Sequence, residues 1–164
     1  MSAYDYTSPE TKLRTLATMN PILQGSLGSD PLKFRWYDGV LIQNIVKNLT
    51  AGQAAVRVNR VSTIRGVNQS GIMNLSRPLF QIDVLSLNSE TARKVANDVI
   101  VFLGTIDLCS NGQFESPYRE PSQNPNFLMN QMHGIIPNPQ PDNGPVYFER
   151  LDVRLANRED LAIN

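Results

Sequence analysis

Residues 77–103 read RPLFQIDVLSLNSETARKVANDVIVFL, and the hydrophobic rhythm changes once inside them. Up to residue 86 the period is two. Phe80, Ile82 and Val84 alternate with Gln81, Asp83 and Leu85, the pattern of a strand with one apolar face and one mixed face. Beyond Asn88 or Ser89, either of which can cap a helix, Ala92, Val95, Ala96, Val99 and Leu103 recur at helical spacing, with Arg93, Lys94, Asn97 and Asp98 on the opposite side. One sheet face and one helical stripe are the minimum that closes a two-layer core.

Two further segments supply sheet. In AAVRVNRVSTI, Ala54, Val56 and Val58 share one face while Arg57, Asn59 and Val61 share the other, and RGVNQSG ends the strand. In VYFERLDVRLANRED, Tyr147, Leu151, Val153 and Leu155 face the core and Phe148, Arg150, Asp152 and Arg154 face out, with Glu149 breaking the pattern. Ahead of the strands, Leu13, Leu16, Ala17, Ile22 and Leu23 form an imperfect helical stripe, capped by Ser8 or Thr11, with Pro9 in its first turn and a break at Pro21. Between residues 25 and 52 the signals conflict, and a turn at Asp38-Gly39 between extended pieces is preferred over a second short helix. The expected fold is α+β, an antiparallel sheet with one or two helices packed on one face. It forms one domain over residues 1–164, with a flexible arm at 1–10.

Residues 110–145 differ in composition, holding seven of the eleven prolines along with repeated Asn, Gln and Gly. They read as a long Pro/Asn-rich insertion loop. Inside it, Phe127, Leu128, Met129, Met132, Ile135 and Ile136 carry too much apolar surface for a solvated linker, so part of the loop packs on its own domain or on a partner.

Fifteen basic and fifteen acidic residues cancel, which gives no support to a nucleic-acid reader. The single Cys109 excludes an intramolecular disulfide and, with the single His133, cannot build a Cys/His zinc site in one chain. No basic, apolar-cored leader opens the sequence and no window reaches a membrane-spanning length, so the product is expected to be soluble and intracellular, with the Asn-x-Ser/Thr triplets at Asn48, Asn68 and Asn74 unmodified. No GxGxxG or GxxxxGK[ST] string occurs. Asp83, Asp98 and Asp107 read as solvated or salt-bridged carboxylates, and His133 as a surface histidine. No catalytic residue, cofactor or metal is expected.

The residues with interface chemistry are arginines and apolar side chains. Arg57 and Arg60 on one strand, and Arg150, Arg154 and Arg158 on another and its tail, are candidates for one basic face, interrupted by Asp152. With Phe127, Met129 and Met132 in the loop, the residues Arg57, Arg150, Asp152, Arg154 and Arg158 form the candidate contact surface for subunits or partners.

The order of short helix, strand, turn, strand-to-helix stretch and final strand resembles the small tail-terminator (tail-completion, head–tail joining) proteins of tailed bacteriophages. The central strand of that family ends in a Q-x-D-V-type stretch followed by a polar step and an alanine-bearing helix; Gln81, Ile82, Asp83, Val84, Ser86, Ala92, Ala96 and Leu103 stand in the matching places. The likeness covers residues 54–105 and 146–160, and the excursion over 110–145 is longer than the family pattern. It implies a virion protein without catalytic turnover, forming a ring of usually six copies that caps the tail tube, halts its polymerisation and meets the head. The implied partners are further copies of the chain, the tail tube protein and head–tail connector or neck proteins, with a sheath or lumenal DNA as additional contacts and no membrane. Assembly takes place in the host cytoplasm. Another neck or head–tail adaptor, or a monomeric protein-binding module, are the alternatives, and a small enzyme around His133 with Arg119 or Glu120 is the third reading.

Overall fold

The structure is a computed structural model that describes residues 7–68, 71–108, 112–113, 126–140 and 144–158. Helix α1 (Pro9–Thr18) starts where Ser8 Oγ accepts from the Thr11 N–H, and Pro9 sits where no helical N–H is needed. The expected arm over residues 1–10 therefore gives way to helix at Pro9; residues 1–6 lie outside the described part. Pro21 both stops α1 and starts α2 (Pro21–Leu27), because the Asn20 side chain accepts from the N–H groups of Ile22 and Leu23. The imperfect stripe is thus two helices in series, burying Leu13, Leu16 and Ala17 from the first and Leu23 and Leu27 from the second.

Strand β1 (Trp36–Asp38) runs parallel to β2 (Ala54–Asn68), the one parallel pairing of the main sheet among the described residues. Gly39 makes the turn after Asp38 with φ of 66°, a left-handed conformation glycine adopts without penalty. Beyond the turn the chain forms helix α3 (Ile42–Val46) where an extended piece was expected, since Ile45 and Val46 bury together with Leu49 against the sheet.

Strand β2 pairs antiparallel with β3 (Gly71–Ser86) along nearly their whole length, with irregularities at Arg60/Ser62 and Arg65/Val67. The strand ends inside RGVNQSG, at Asn68, so the first four residues of that segment still belong to β2. The backbone continues as a two-stranded ribbon, where cross-strand hydrogen bonds hold residues that carry no periodic apolar signal. Helix α4 (Ser89–Thr105) begins at Asn88, whose Oδ1 accepts from Glu90 and Thr91 N–H at 2.9 and 3.1 Å. It buries Ala92, Val95, Ala96, Val99 and Leu103, and also Phe102.

After α4 come the short strands β4 (Ile106–Asp107) and β5 (Gly112–Gln113), which pair with each other. The expected insertion loop over residues 110–145 is not one loop, because its centre is β6 (Phe127–Ile136), antiparallel to β7 (Val146–Arg154). The prolines bracket the strand and leave it intact. Pro125 and Pro137 flank a proline-free run, so every residue of β6 keeps the N–H a ladder needs. Cys109, Arg119 and Glu120 lie outside the described residues. A last strand, β8 (Asn157–Arg158), pairs with β3.

The main sheet has the order β1-β2-β3-β7-β6. Helices α1, α2 and α4 cover one face, where Val56, Val58, Phe80, Ile82, Val84, Leu151 and Val153 meet the helical stripes in the principal core. On the other face, α3 covers only one end, over Ala55, Leu85, Val146 and the half-buried Phe148. The fold is accordingly α+β with a mostly antiparallel sheet, and Arg57, Asn59, Gln81, Asp83, Arg150 and Asp152 make the middle of its second face polar. Among the described residues no helix is long and apolar enough to cross a membrane.

Candidate functional site

Strand register places one residue from every main strand in a row across the second face: Tyr37, Arg57, Asp83, Arg150 and Met132. Its centre is Asp83, fully buried although it lies on the face expected to point outward. The carboxylate escapes solvent because two guanidinium groups close over it. Arg150 Nε donates to Asp83 Oδ1 at 2.7 Å and Arg57 Nη1 donates to Oδ2 at 3.4 Å, while Arg57 Nε donates to the Val40 carbonyl at 2.6 Å. Arg150 also stands 5.5 Å above the Phe148 ring, a cation–π position. The Asp83 hydrogen bond raises the Arg150 pKa above its ordinary value, against the opposing effect of burial, so the guanidinium stays charged.

The next row, Asn59, Gln81, Asp152 and Asn130, is polar throughout. Arg154 lies one row further and donates through Nη1 to the Arg77 carbonyl at 2.9 Å. Arg57, Arg150, Asp152 and Arg154 thus share one face, as their alternation implies. Arg60 and Arg158 do not join them. Arg60 is on the helix-covered side, with Nε 2.9 Å from Glu10 Oε1; three residues along an unbroken stretch of strand put it on the face opposite Arg57. Arg158 is on β8 beside Leu75, and its carbonyl accepts from Lys12 Nζ at 2.7 Å. The single basic face over five arginines is therefore two locations plus an edge.

The loop residues Phe127, Met129 and Met132 prove to be residues of β6. Met132 falls beside Arg150, Phe127 is in register with Arg154, and Met129 sits in the irregularity between Leu128 and Asn130. Leu128, Met129, Met132 and Ile135 are all exposed. β6 ends the sheet, and no described strand pairs with its outer side. Gly134 serves this edge through what it lacks: a Cβ there would come within 2.8 Å of the Phe148 ring, so any other residue would push the ring aside.

Behind β6, a cleft of about 270 Å³ opens between the strand pair and the start of α4, lined by residues that include Arg93, His133, Tyr147 and Glu149. Glu149, the exception in the alternation of β7, is only 4% exposed. It occupies the core side of the sheet next to His133, and its charged partner Arg93 is loosely placed at 3.8 Å. His133 itself is exposed, and among the described residues no group of three His, Cys, Asp or Glu side chains could hold a metal. The pattern-breaking Glu149 was the one sequence signal for this cleft, while Asp83 gave none that distinguishes burial from solvation.

A third location joins α1 to β1. Asp38 lines a recess with Glu10 and Arg60, and its pKa is lifted from 3.8 to about 6, first by burial and second by the Glu10 charge, with Arg14 pulling the other way. A carboxyl raised in the folded state favours the protonated fold, so stability is lost as pH rises through the window from 3.8 to about 6. Asp38→Asn is expected to flatten that loss, and to melt higher than the parent above the window but not below it. Thermal melts on either side of the window check this.

No protein-family model matches the chain, and no curated protein matches it either.

Proposed function

We propose that the chain is a structural virion protein of the tail-terminator class, which forms a ring, caps the tail tube, stops its polymerisation and joins it to the head connector. The observation that carries this reading is the edge strand β6, which presents exposed Leu128, Met129, Met132 and Ile135 beside a ladder edge that no described strand pairs. Such an edge invites pairing with another chain unless it is blunted by charge or proline, and β6 carries neither within its span. An apolar edge retained in this way is suited to assembly. The polar band around Arg150 and Asp152 adds a charged surface next to it, which favours register and partner choice over bulk affinity. The resemblance over Gln81, Asp83, Val84 and the α4 alanines supports the same class.

The test is a stop codon in the gene within the phage or prophage that carries it, followed by negative-stain electron microscopy of the lysate. Tails of irregular or excessive length beside detached, filled heads are expected. Complete virions with tails of normal length reject the proposal.

A further inference from the structure

We propose that the cleft behind β6 is a binding site for a guanidinium group carried on a short apolar stem, held there by the Glu149 carboxylate. The site lies within one copy of the chain, so it stands or falls separately from the ring reading.

Glu149 is the misfit of its face. The β7 residues that follow it on the same side, Leu151 and Val153, are apolar and buried, and its cross-strand neighbour on β3 is Val84. A carboxylate in such surroundings loses its hydration and needs hydrogen bonds or a close counter-charge to offset the loss. Glu149 has little of either. Its side chain is 6% exposed, and among the described residues it accepts no hydrogen bond; its one ion pair is with Arg93, whose Nε stands 3.8 Å from Oε1. Arg93 is 67% exposed in its side chain, so water screens the pair and it contributes little. His133, in register with Glu149 on β6, makes no ion pair with it. Asp83 on the opposite face shows the contrast, because there two guanidinium groups donate to one buried carboxylate. At Glu149 the corresponding donor is missing.

The space beside the carboxylate fits that donor. The cleft holds about 270 Å³ between the start of α4 and the β6–β7 pair, the size for one side-chain-like ligand. Ala92 of α4 and Ile135 of β6 give it apolar walls for a stem. Tyr147 is in register with Ile135 and lies two residues before Glu149, hence on the same face of β7. An aromatic ring near a buried carboxylate favours a planar cation over a compact ammonium, since a guanidinium can stack on the ring and offer two parallel N–H donors to the two oxygens. Arg93, exposed and loosely placed, is the competitor that such a ligand displaces.

Titration of the isotope-labelled full chain with n-butylguanidinium at constant ionic strength, followed by amide NMR shifts, tests the site. Saturable shifts at Ala92, Arg93, Ile135 and Tyr147 are expected, with a Kd on the order of a millimolar. Butylammonium is expected to bind more weakly and uncharged butanol not to saturate. Glu149→Gln is expected to weaken binding about 10-fold without lowering the melting temperature, because the amide has no charge to desolvate. Should that variant fail to fold, Arg93→Ala keeps the test, with binding about 3-fold tighter once the competitor is gone. Butanol binding as well as butylguanidinium, shifts that never saturate, an affinity indifferent to Glu149→Gln, or an Arg93→Ala variant that binds no more tightly each overturn the proposal. A blocked Gly-Arg-Gly peptide separates the sources of the group: tighter binding than butylguanidinium identifies an arginine of a protein partner, and weaker binding identifies a free guanidine.

Discussion

Asp83→Ala is expected to lower stability by about 3–5 kcal/mol, because it leaves two guanidinium groups facing each other with their shared carboxylate gone. Arg57 and Arg150 are 16% and 28% exposed in their side chains, so water reaches them only in part, while Asp83 is not reached at all. The loss reflects stranded charge more than the strength of the ion pair itself. Replacing the whole set, with Asp83→Leu, Arg57→Met and Arg150→Met in one chain, is expected to restore most of the stability, since an apolar trio of similar volume has no charge to desolvate. Urea denaturation of the single and triple variants compares the two. A triple variant as unstable as Asp83→Ala would mean that the row contributes through shape and not through charge.

Phe102→Ala is the second large effect, about 3–5 kcal/mol from lost burial and the cavity left behind. Phe102 meets the Trp36 ring edge-on, with centroids 6.0 Å apart and planes at 84°, and Trp36 in turn stacks on Phe34 at 6.3 Å. These contacts tie α4 to the parallel strand β1, which is only three residues long. Because Trp36 is the sole tryptophan, its fluorescence reports directly on this contact. The emission of Phe102→Ala should shift to the red under native conditions as water reaches the indole, and the midpoint in urea should fall. An unchanged spectrum would place the destabilisation elsewhere.

The strand-to-helix change at residues 86–89 was legible because both periods are driven by one buried face, and burial leaves its mark on every second or every third and fourth residue. β6 was hidden for the opposite reason. As an edge it is exposed on both sides at Met129, Gln131, Met132 and His133, so no alternation survives, and the prolines around it carry the signature of a loop. β1 was illegible for another cause: three residues in parallel with β2 take their stability from partners far away in sequence. At the candidate site, the shared face of Arg57, Arg150, Asp152 and Arg154 is a result of period two alone. The burial of Asp83 is not, because it depends on two arginines from different strands and on α3 capping the adjacent end of the face. The separation of Arg60 from Arg57 follows from the same period, since an odd spacing of three residues puts the two on opposite faces of β2.

The position of β7 between β3 and β6 has a consequence for synthesis. The ribosome releases β3 and then β6 before the strand that joins them, so the middle of the sheet stays open until residues 146–154 emerge. A chain that stops short of that point cannot close its core, and it leaves the ladders of both β3 and β6 unpaired. Truncated products are then poorly folded and open to proteolysis, which removes them before they accumulate.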